Sequence, residues 1–224
     1  MSRTFDGTDD VIEVVSTIVT AYPLTLLAWF KSTATTTGQV VVGLSRTGGA
    51  GQGRKLIYLN GDGTLRLYAQ NNGASSSFPS SGTYSSGVWT HAAAVFAANN
   101  DFRIYRDGGN VGSDTSTVDF GTINTFKVGA DDSAAPSNFM DGSVAFVHIY
   151  NRALSVNEIK QLMRFPGSIS LGLKGFLELL GANPEFDYSG NGNNGMVTGA
   201  LVSNNNPPVN GIFTIPKPEL AHVF

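Results

Sequence analysis

Short apolar segments separated by turn residues recur along almost the whole chain. Leu24–Phe30 and Val40–Leu44 are compact apolar runs rich in strand-forming residues. Thr64–Ala69 instead alternates leucine with arginine and tyrosine, as expected of a strand with one buried face. Strands spaced by roughly ten residues, joined by Gly, Asn, Ser and Asp turns, indicate an all-β fold of two antiparallel sheets, a sandwich or jelly roll. Further strands are predicted at Lys55–Leu59, Ala92–Phe96, Phe102–Arg106, Phe126–Gly129 and Val144–Tyr150.

Three segments depart from this pattern. Thr47–Gly53 and the serine-rich Ser75–Gly87 lack helical periodicity and interrupt the strands, so both are predicted to be surface loops. One short helix is predicted near 155–164, because Ser155 and Glu158 fit a capping box ahead of a short apolar stripe. A helix of this length is too short to be stable alone, so it must pack on a sheet.

Composition narrows the classes of function. The 224 residues are 41% hydrophobic and 14% charged, which suits one large β domain and argues against disorder. The net charge of −3 comes without a basic stripe, so nucleic acid is not an expected partner. The absence of cysteine excludes disulfides and thiolate metal sites. No apolar run is long enough for a membrane helix, and the amino terminus has no signal-peptide h-region, so synthesis in a cytoplasm without an export signal is expected.

Several segments resemble one family in order. Phe5–Ile12 resembles an FDGxDDYI opening strand, and Gly87–Phe96 resembles a G-x-W-x-H strand motif. Phe102–Gly108 is similar to a "YxDG" strand, and Ile149–Ser155 (IYNRALS) matches a characteristic ending. Over residues 3–165 the chain resembles the laminin-G-like, concanavalin A-like lectin/glucanase jelly rolls in their phage and bacterial form. The resemblance implies a concanavalin A-like sandwich.

One motif is displaced. Glu185–Ala200 (EFDYSGNGNNGMVTGA) is similar to a segment that precedes the opening strand in this family, yet here it follows the whole domain. It could begin a second, truncated copy. We favour the alternative that residues 171–202 supply the missing first strand and loop, either to their own sandwich or to a neighbouring subunit's, because about 20 residues cannot bury a core alone. The predicted organisation is thus a jelly roll over 1–202 and a Pro-rich extended arm over 203–224.

The chain offers little for catalysis. The family's glucanases use an E-x-D-x-x-E strand, and the only near match, at Glu185 and Asp187, has Gly190 in place of the last carboxylate. His91 and His148 lie in predicted strands, where packed side chains are expected rather than general bases. The protein is therefore predicted not to be an enzyme.

The resemblance does imply binding sites. Members often hold a structural calcium ion through loop oxygens, although the family's usual acidic pair is replaced here by Ala145 and Phe146. Asp9, Asp10 and Asp187 could instead simply cap turns. Aromatic rings on polar-flanked or loop positions could stack on sugars, or could equally cover the sheets or a subunit interface. The calcium candidates are Asp6, Asp9, Asp10, Asp187 and Asn191, and the carbohydrate candidates are Tyr68, Phe78, Tyr84 and Tyr105.

Two functions fit these features. The first is a virion structural protein, such as a phage capsid decoration protein, with capsid or other virion proteins and further copies of itself as partners and with the virion as its location. A missing export signal and a Pro-rich arm favour it. The alternative is a carbohydrate-binding, lectin-like module for attachment to host or surface glycans. A glycoside hydrolase is a weak third hypothesis.

Overall fold

The computed structural model describes residues 1–46, 53–71, 75–77, 80–131 and 137–211. These residues form two antiparallel sheets and one helix. In chain order the elements are β1 (Ser2–Asp6), β2 (Val11–Val14), β3 (Leu24–Ser32), β4 (Gln39–Ser45), β5 (Arg54–Leu59), β6 (Thr64–Asn71), β7 (Ser75–Ser77), β8 (Ser80–Thr83), β9 (Thr90–Ala98), β10 (Asp101–Arg106), β11 (Gly109–Asp114), β12 (Thr125–Val128), β13 (Asp141–Tyr150), α1 (Val156–Arg164), β14 (Leu173–Leu177), β15 (Met196–Thr198) and β16 (Leu201–Ser203).

The strands divide into two eight-stranded sheets. Sheet A has the order β11-β10-β9-β3-β13-β1-β16, with β14 also paired to β13. Sheet B has the order β15-β2-β12-β4-β5-β6-β7, with β8 also paired to β6. The main hydrophobic core lies between the inner faces of the two sheets. The predicted all-β, two-sheet sandwich with a single short helix is therefore confirmed.

Two local predictions need correction. Ser75–Gly87 is not simply a loop, because β7 and β8 lie within it and both pair with β6. The opening segment Phe5–Ile12 is not one strand: Gly7 adopts a φ of +78° and turns the chain between β1 in sheet A and β2 in sheet B. Such a positive φ is accessible mainly to glycine. Of the other predicted loop, residues 47–52 lie outside the described part of the chain.

The helix covers only one of the two sheets. Ser155 is its N-cap and Glu158 completes the predicted capping box. Ile159 and Leu162 pack on the outer face of sheet A, in a second hydrophobic cluster that includes Trp29 and Phe176. Sheet A is therefore buried on both faces, which explains why β3 and β13 are buried along nearly their whole length. Within the described residues no helix covers the outer face of sheet B; β4 is nevertheless buried throughout, whereas β6 alternates buried and half-exposed residues.

The segment after the helix lies in both sheets of its own chain. β14 pairs with the second half of β13, from Val147 to Tyr150, whereas β1 pairs with the first half. β15 then extends sheet B beside β2, and β16 extends sheet A beside β1. Residues 204–211 form neither strand nor helix. The assignment of 1–202 and 203–224 as domain and arm stays a prediction.

Two buried histidines make the fold sensitive to acid. His148 accepts a hydrogen bond at Nε2 from the Gly167 N–H (3.2 Å), and its Nδ1 lies 3.0 Å from the Phe146 carbonyl oxygen, which requires a neutral ring. Burial lowers the pKa of His91 and of His148 to about 3. Glu178 shows the opposite case, since burial raises the pKa of its carboxyl to about 7.

We expect stability to fall in two stages as the pH is lowered. Each buried histidine has a lower pKa in the folded state than in the unfolded state, where it is about 6.5. As the pH falls below about 6.5, each therefore lowers the free energy of unfolding by about 1.4 kcal/mol per pH unit. The pKa of Glu178 is higher in the folded state than in the unfolded state, so its protonation between pH 7 and about 4.5 stabilises the fold. In this range it offsets the loss of stability caused by one histidine. The loss should therefore steepen below about pH 4.5. Urea unfolding at several pH values measures this.

Single variants separate these contributions. His91→Leu should roughly halve the loss below pH 4.5, and Glu178→Gln should make the loss between pH 4.5 and 6.5 about twice as steep. Comparing each variant with the parent cancels the titration of the remaining carboxylates. Identical pH profiles for the parent and both variants would contradict the assignment.

Candidate functional site: the open face of sheet B

The outer face of β5 and β6 carries two neighbouring tyrosines. Leu56 and Tyr58 point outward from β5, opposite Tyr68 and Arg66 of β6 respectively. The inward positions of these strands, such as Ile57, belong to the core, so the pleat places the tyrosines on the uncovered side. The rings of Tyr58 and Tyr68 are diagonal neighbours, with centroids 6.4 Å apart and planes inclined by 48°. Together they form a half-buried aromatic surface, called here the tyrosine pair.

Two glycines, one just before β4 and one within it, make room for this surface. A Cβ atom at Gly38 would lie 2.0 Å from the Tyr58 hydroxyl oxygen, so only glycine lets the phenol occupy its position. A Cβ at Gly43 would similarly lie 2.4 Å from a methyl carbon of Leu56. The Tyr58 phenol thus lies directly against the backbone at Gly38. Its orientation is fixed by backbone contact rather than by a flexible side chain.

Charged groups flank the tyrosine pair. Arg66 contacts the Asp62 carboxylate at 2.5 Å and donates from Nε to the Thr64 hydroxyl at 3.0 Å. On the other side, Arg54 pairs with Asp131 at 3.1 Å. Burial, and next the Asp131 charge, raise the pKa of the Tyr58 phenol. The phenol stays protonated at neutral pH and can both donate and accept a hydrogen bond.

Sequence reasoning found this surface only in part. Tyr68 is one of the four predicted carbohydrate residues and lies in the tyrosine pair. Tyr58 was missed because Leu56, two residues before it on the same face, makes β5 a continuous apolar run rather than an alternating one. The available signal was the register: a hairpin through Asn60–Gly63 places Tyr58 beside β6 on the same face as Tyr68.

Two of the other predicted carbohydrate residues are corrected. Tyr84 is 6% exposed in the inner core, where its hydroxyl donates to the Ala34 carbonyl. Tyr105 is also 6% exposed and packs in the cluster beneath the helix. Neither ring presents a face to a sugar, so the prediction is wrong for both. The sequence around Tyr105 did not show that sheet A is covered on both sides, and that around Tyr84 did not show that the ring lies between the sheets. Phe78 lies outside the described residues.

Three of the five predicted calcium ligands lie together. Carboxylate oxygens of Asp6, Asp9 and Asp10 lie within 4.8 Å of one another, in the turn between β1 and β2. Asp10 is buried, and one of its oxygens accepts from the Asp6 N–H. Burial raises the pKa of Asp10, and the charges of Asp6 and Asp9 act in the same direction. A hard cation would relieve this repulsion. Calcium binding here stays a prediction.

Asp187 and Asn191 are used elsewhere. Asp187 accepts four hydrogen bonds, from the N–H groups of Phe176, Ser189 and Asn193 and from the Ser189 hydroxyl. The Asn191 amide donates to the Leu173 carbonyl and to two further oxygens. Both side chains fasten the displaced loop to β14, and Asp187 is not part of the three-carboxylate group. For Asp187 these contacts fit the turn-capping alternative, and a calcium role for Asp187 and Asn191 stays a prediction.

The carboxylates of the displaced motif are also engaged. Glu185 is 2% exposed and pairs with Arg3 at 2.7 Å, while it also accepts from the N–H groups of Leu180 and Gly181. With Asp187 fully hydrogen-bonded, neither acid faces an open cleft. The pair organises the backbone of the displaced motif.

The comparisons with known proteins agree with this architecture. The family model of the concanavalin A-like lectin/glucanases superfamily matches residues 6–160, well over half of the chain. The chain belongs to this superfamily. The matched range ends before β14, β15 and β16, although these strands complete both sheets. No curated protein sequence matches the chain significantly.

Solved structures share the fold at low sequence identity. A proposed carbohydrate binding protein from Bacteroides ovatus is 17% identical with a TM-score of 0.67, and the match covers 93% of this chain and 60% of that one. The heptameric pentraxin of Limulus polyphemus is 18% identical with a TM-score of 0.60, covering 72% and 80%. The Ruminococcus gnavus sialidase module CBM40, bound to sialyllactose, is 13% identical with a TM-score of 0.57, covering 72% and 97%. The described part of this superfamily member contains no helix that could span a membrane.

Proposed function

We propose that this member of the superfamily is a non-enzymatic carbohydrate-binding module that binds sugars on the open face of sheet B. The observation that carries the proposal is the tyrosine pair: two adjacent, half-buried aromatic rings on a sheet face that no described helix covers. Aromatic rings offer apolar area with a polar tip, which suits the mixed surface of a sugar ring. The family and the carbohydrate-binding neighbours support the same ligand class.

The flanking groups supply the polar part of such a site. Ligand sites combine apolar surface with a few fixed donors and acceptors. Arg66 is held by Asp62 and Thr64, and Arg54 is held by Asp131, so both guanidinium groups are oriented beside the rings before any ligand arrives. Holding these groups in advance lowers the ordering cost of binding.

Truncating either tyrosine should weaken glycan binding strongly. We expect Tyr58→Ala and Tyr68→Ala each to raise the Kd at least about tenfold, because a central aromatic contact typically contributes more than 1 kcal/mol. A glycan array selects the ligand, and isothermal titration measures the parent and both variants. Phe186→Ala, which truncates an exposed aromatic residue outside the face, is the matched control and should bind normally.

The outcomes are distinct. No binding across the array would overturn the proposed function, whereas binding unaffected by both tyrosine variants would retain the function and reject the site. Running the array with calcium and with a chelator tests the three-carboxylate prediction at the same time. A calcium requirement lost in Asp9→Asn would support a metal role for the turn between β1 and β2.

The absence of catalysis belongs to this proposal. The Glu185 carboxylate pairs with Arg3, and both Glu185 and Asp187 accept hydrogen bonds from backbone N–H groups. This supports a binding rather than a hydrolytic role. We expect the titrated glycan to be recovered intact after prolonged incubation. Release of reducing ends, measured against a Glu185→Gln variant, would contradict a purely binding role.

The virion role and self-assembly stay predictions. A particle-surface protein can also bind glycans, so the two roles are compatible. Mass measurement in solution tests the predicted homo-oligomer, and proteomics of purified particles tests the predicted capsid partners. A monomer absent from particles would reject the virion hypothesis while leaving carbohydrate binding intact.

A further inference from the structure

Both tryptophans of the chain line one pocket on the helix-covered side of sheet A. The pocket has a volume of about 360 Å³, within the range of roughly 300–1,000 Å³ usual for small-molecule sites. Trp29 of β3 is buried beside it, with its ring edge against His91 and its Nε1 donating to the Met163 carbonyl at 3.3 Å. Trp89, just before β9, is half-buried. The Lys31 ammonium lies over the Trp89 ring, 5.9 Å from its centroid.

The last described residues complete the pocket wall. Residues 204–211, called here the C-terminal strap, cross from β16 towards the end of α1. Asn205 accepts from the Trp89 Nε1 at 3.2 Å through its side chain and from the Ser2 hydroxyl through its carbonyl. The Asn210 N–H donates to the Arg164 carbonyl, and Pro208 joins the lining. The pocket is thus assembled from five separate parts of the sequence, because Asp107, just after β10, also lines it.

Three solvent-exposed polar residues at this pocket carry hydrogen-bonding groups that no described residue engages. One Asp107 oxygen accepts from the His91 N–H, and the other makes no hydrogen bond to the described residues. The Arg164 guanidinium and the Asn210 side-chain amide likewise contact no hydrogen-bond partner within the described ranges. The two indole rings therefore share the pocket with an acceptor, the Asp107 carboxylate, and a charged donor, the Arg164 guanidinium. The Asn210 amide can both donate and accept. This combination matches a ring that carries hydroxyl groups around an apolar body.

We infer that the tryptophan pocket is a second sugar site, which takes one pyranose ring or the end of a glycan chain. Only the ligand class rests on the proposed function, since the residues are entirely different. Trp89 supplies the accessible aromatic surface, and Trp29 forms the apolar floor. Asp107, Arg164 and Asn210 bind hydroxyl groups. The tyrosine pair lies on the opposite sheet, so one molecule can hold two sugars on opposite sides.

Tryptophan emission reports this pocket alone, because the chain has no other tryptophan. The full chain is titrated with the methyl pyranosides of glucose, galactose, mannose and N-acetylglucosamine, up to tens of millimolar. At least one sugar should change the emission and slow acrylamide quenching. Arg164→Ala and Asn210→Ala should each raise the Kd roughly three- to tenfold, and Trp89→Ala more than tenfold. Trp89→Phe, which keeps a ring, should retain most of the affinity.

The tyrosine variants separate the two sites. Tyr58→Ala with Tyr68→Ala should leave the tryptophan response unchanged. If that double variant abolishes the response, or if no sugar alters the emission, the second site is rejected while binding on the open face is untouched. If the double variant keeps both the tryptophan response and its binding to the glycan array, the tryptophan pocket is supported and the site on the open face is rejected. Melting temperatures equal to the parent's show that the Arg164 and Asn210 variants are folded.

Discussion

A chain ending at residue 170 is expected not to fold. Deleting residues 171–224 removes β14, whose Phe176 stacks on His148 with ring centroids 4.2 Å apart. It also leaves the backbone of β13 from Val147 to Tyr150 unpaired on one side. An unpaired edge of this kind is a template for aggregation. The expected product is insoluble or lacks a cooperative unfolding transition.

The size of the effect follows from the side chains that are lost. Leu173, Phe176, Leu177 and Leu179 are 6% exposed or less. Burying each contributes about 1.5–3 kcal/mol, so their sum is roughly 6–12 kcal/mol. The whole stability of a domain is only about 5–15 kcal/mol. The deletion therefore removes most or all of the free energy of unfolding. Losing the Arg3–Glu185 ion pair adds to this effect.

Complementation in trans makes this prediction specific. A synthetic peptide of residues 171–211 should restore soluble, cooperatively folded protein when it is present during refolding of the 1–170 fragment. The matched control is the same peptide with Phe176→Asp, which places a charge in the cluster beneath the helix and should fail. A 1–170 fragment that is soluble and unfolds cooperatively without any peptide would show that the displaced segment is dispensable.

Replacing Glu185 by alanine is expected to destabilise the fold by roughly 3–5 kcal/mol, because it leaves a buried charge without its partner. Arg3 is 5% exposed on β1, and its other nitrogens donate to the carbonyl oxygens of Ala182 and Ala200. Glu185 supplies the only carboxylate that contacts Arg3 among the described residues. The variant also removes the acceptor for two backbone N–H groups.

Thermal unfolding measures this loss. For a chain of this length, 1 kcal/mol corresponds to about 2–4 °C, so Tm should fall by roughly 6–20 °C. Asp101→Ala is the control, since it breaks the exposed pair with Arg103 and should cost less than about 1 kcal/mol. The double variant Arg3→Met with Glu185→Leu should recover part of the loss, because neither charge then remains buried. Equal melting temperatures for Glu185→Ala and Asp101→Ala would refute the role of this pair.

These two predictions concern one structural arrangement. The displaced motif holds β1 through Arg3 and Glu185, and holds β14 through Asp187. Its glycines and asparagines serve this purpose, since Gly190 and Gly192 adopt φ values of +84° and +76° while Asn191 and Asn193 bond to carbonyl oxygens of β14. The displaced loop therefore links the first strand of the fold to the strands near its carboxyl end.

The sequence predicts the fold well because the governing signals are local. Alternation in Thr64–Ala69 follows from one buried face, and the capping box at Ser155 satisfies N–H groups within the first turn of α1. Each signal needs only neighbouring residues. Local signals failed for Ser75–Gly87. The serine-rich strands β7 and β8 have no apolar alternation and form because they pair with β6.

The functional surfaces depend on contacts between distant residues. Tyr84 and Tyr105 look as exposed in sequence as Tyr68 does, and only the helix and the sheet packing bury the first two. The tyrosine pair needs the register of β5 on β6, and the tryptophan pocket needs the strap to reach the end of α1. The sequence by itself determined most of the strands, the helix and the family, because hydrophobic period and capping act over a few residues. The tertiary structure alone decided which aromatic faces remain open, because burial is a property of what packs above a sheet, and that cover comes from elsewhere in the chain.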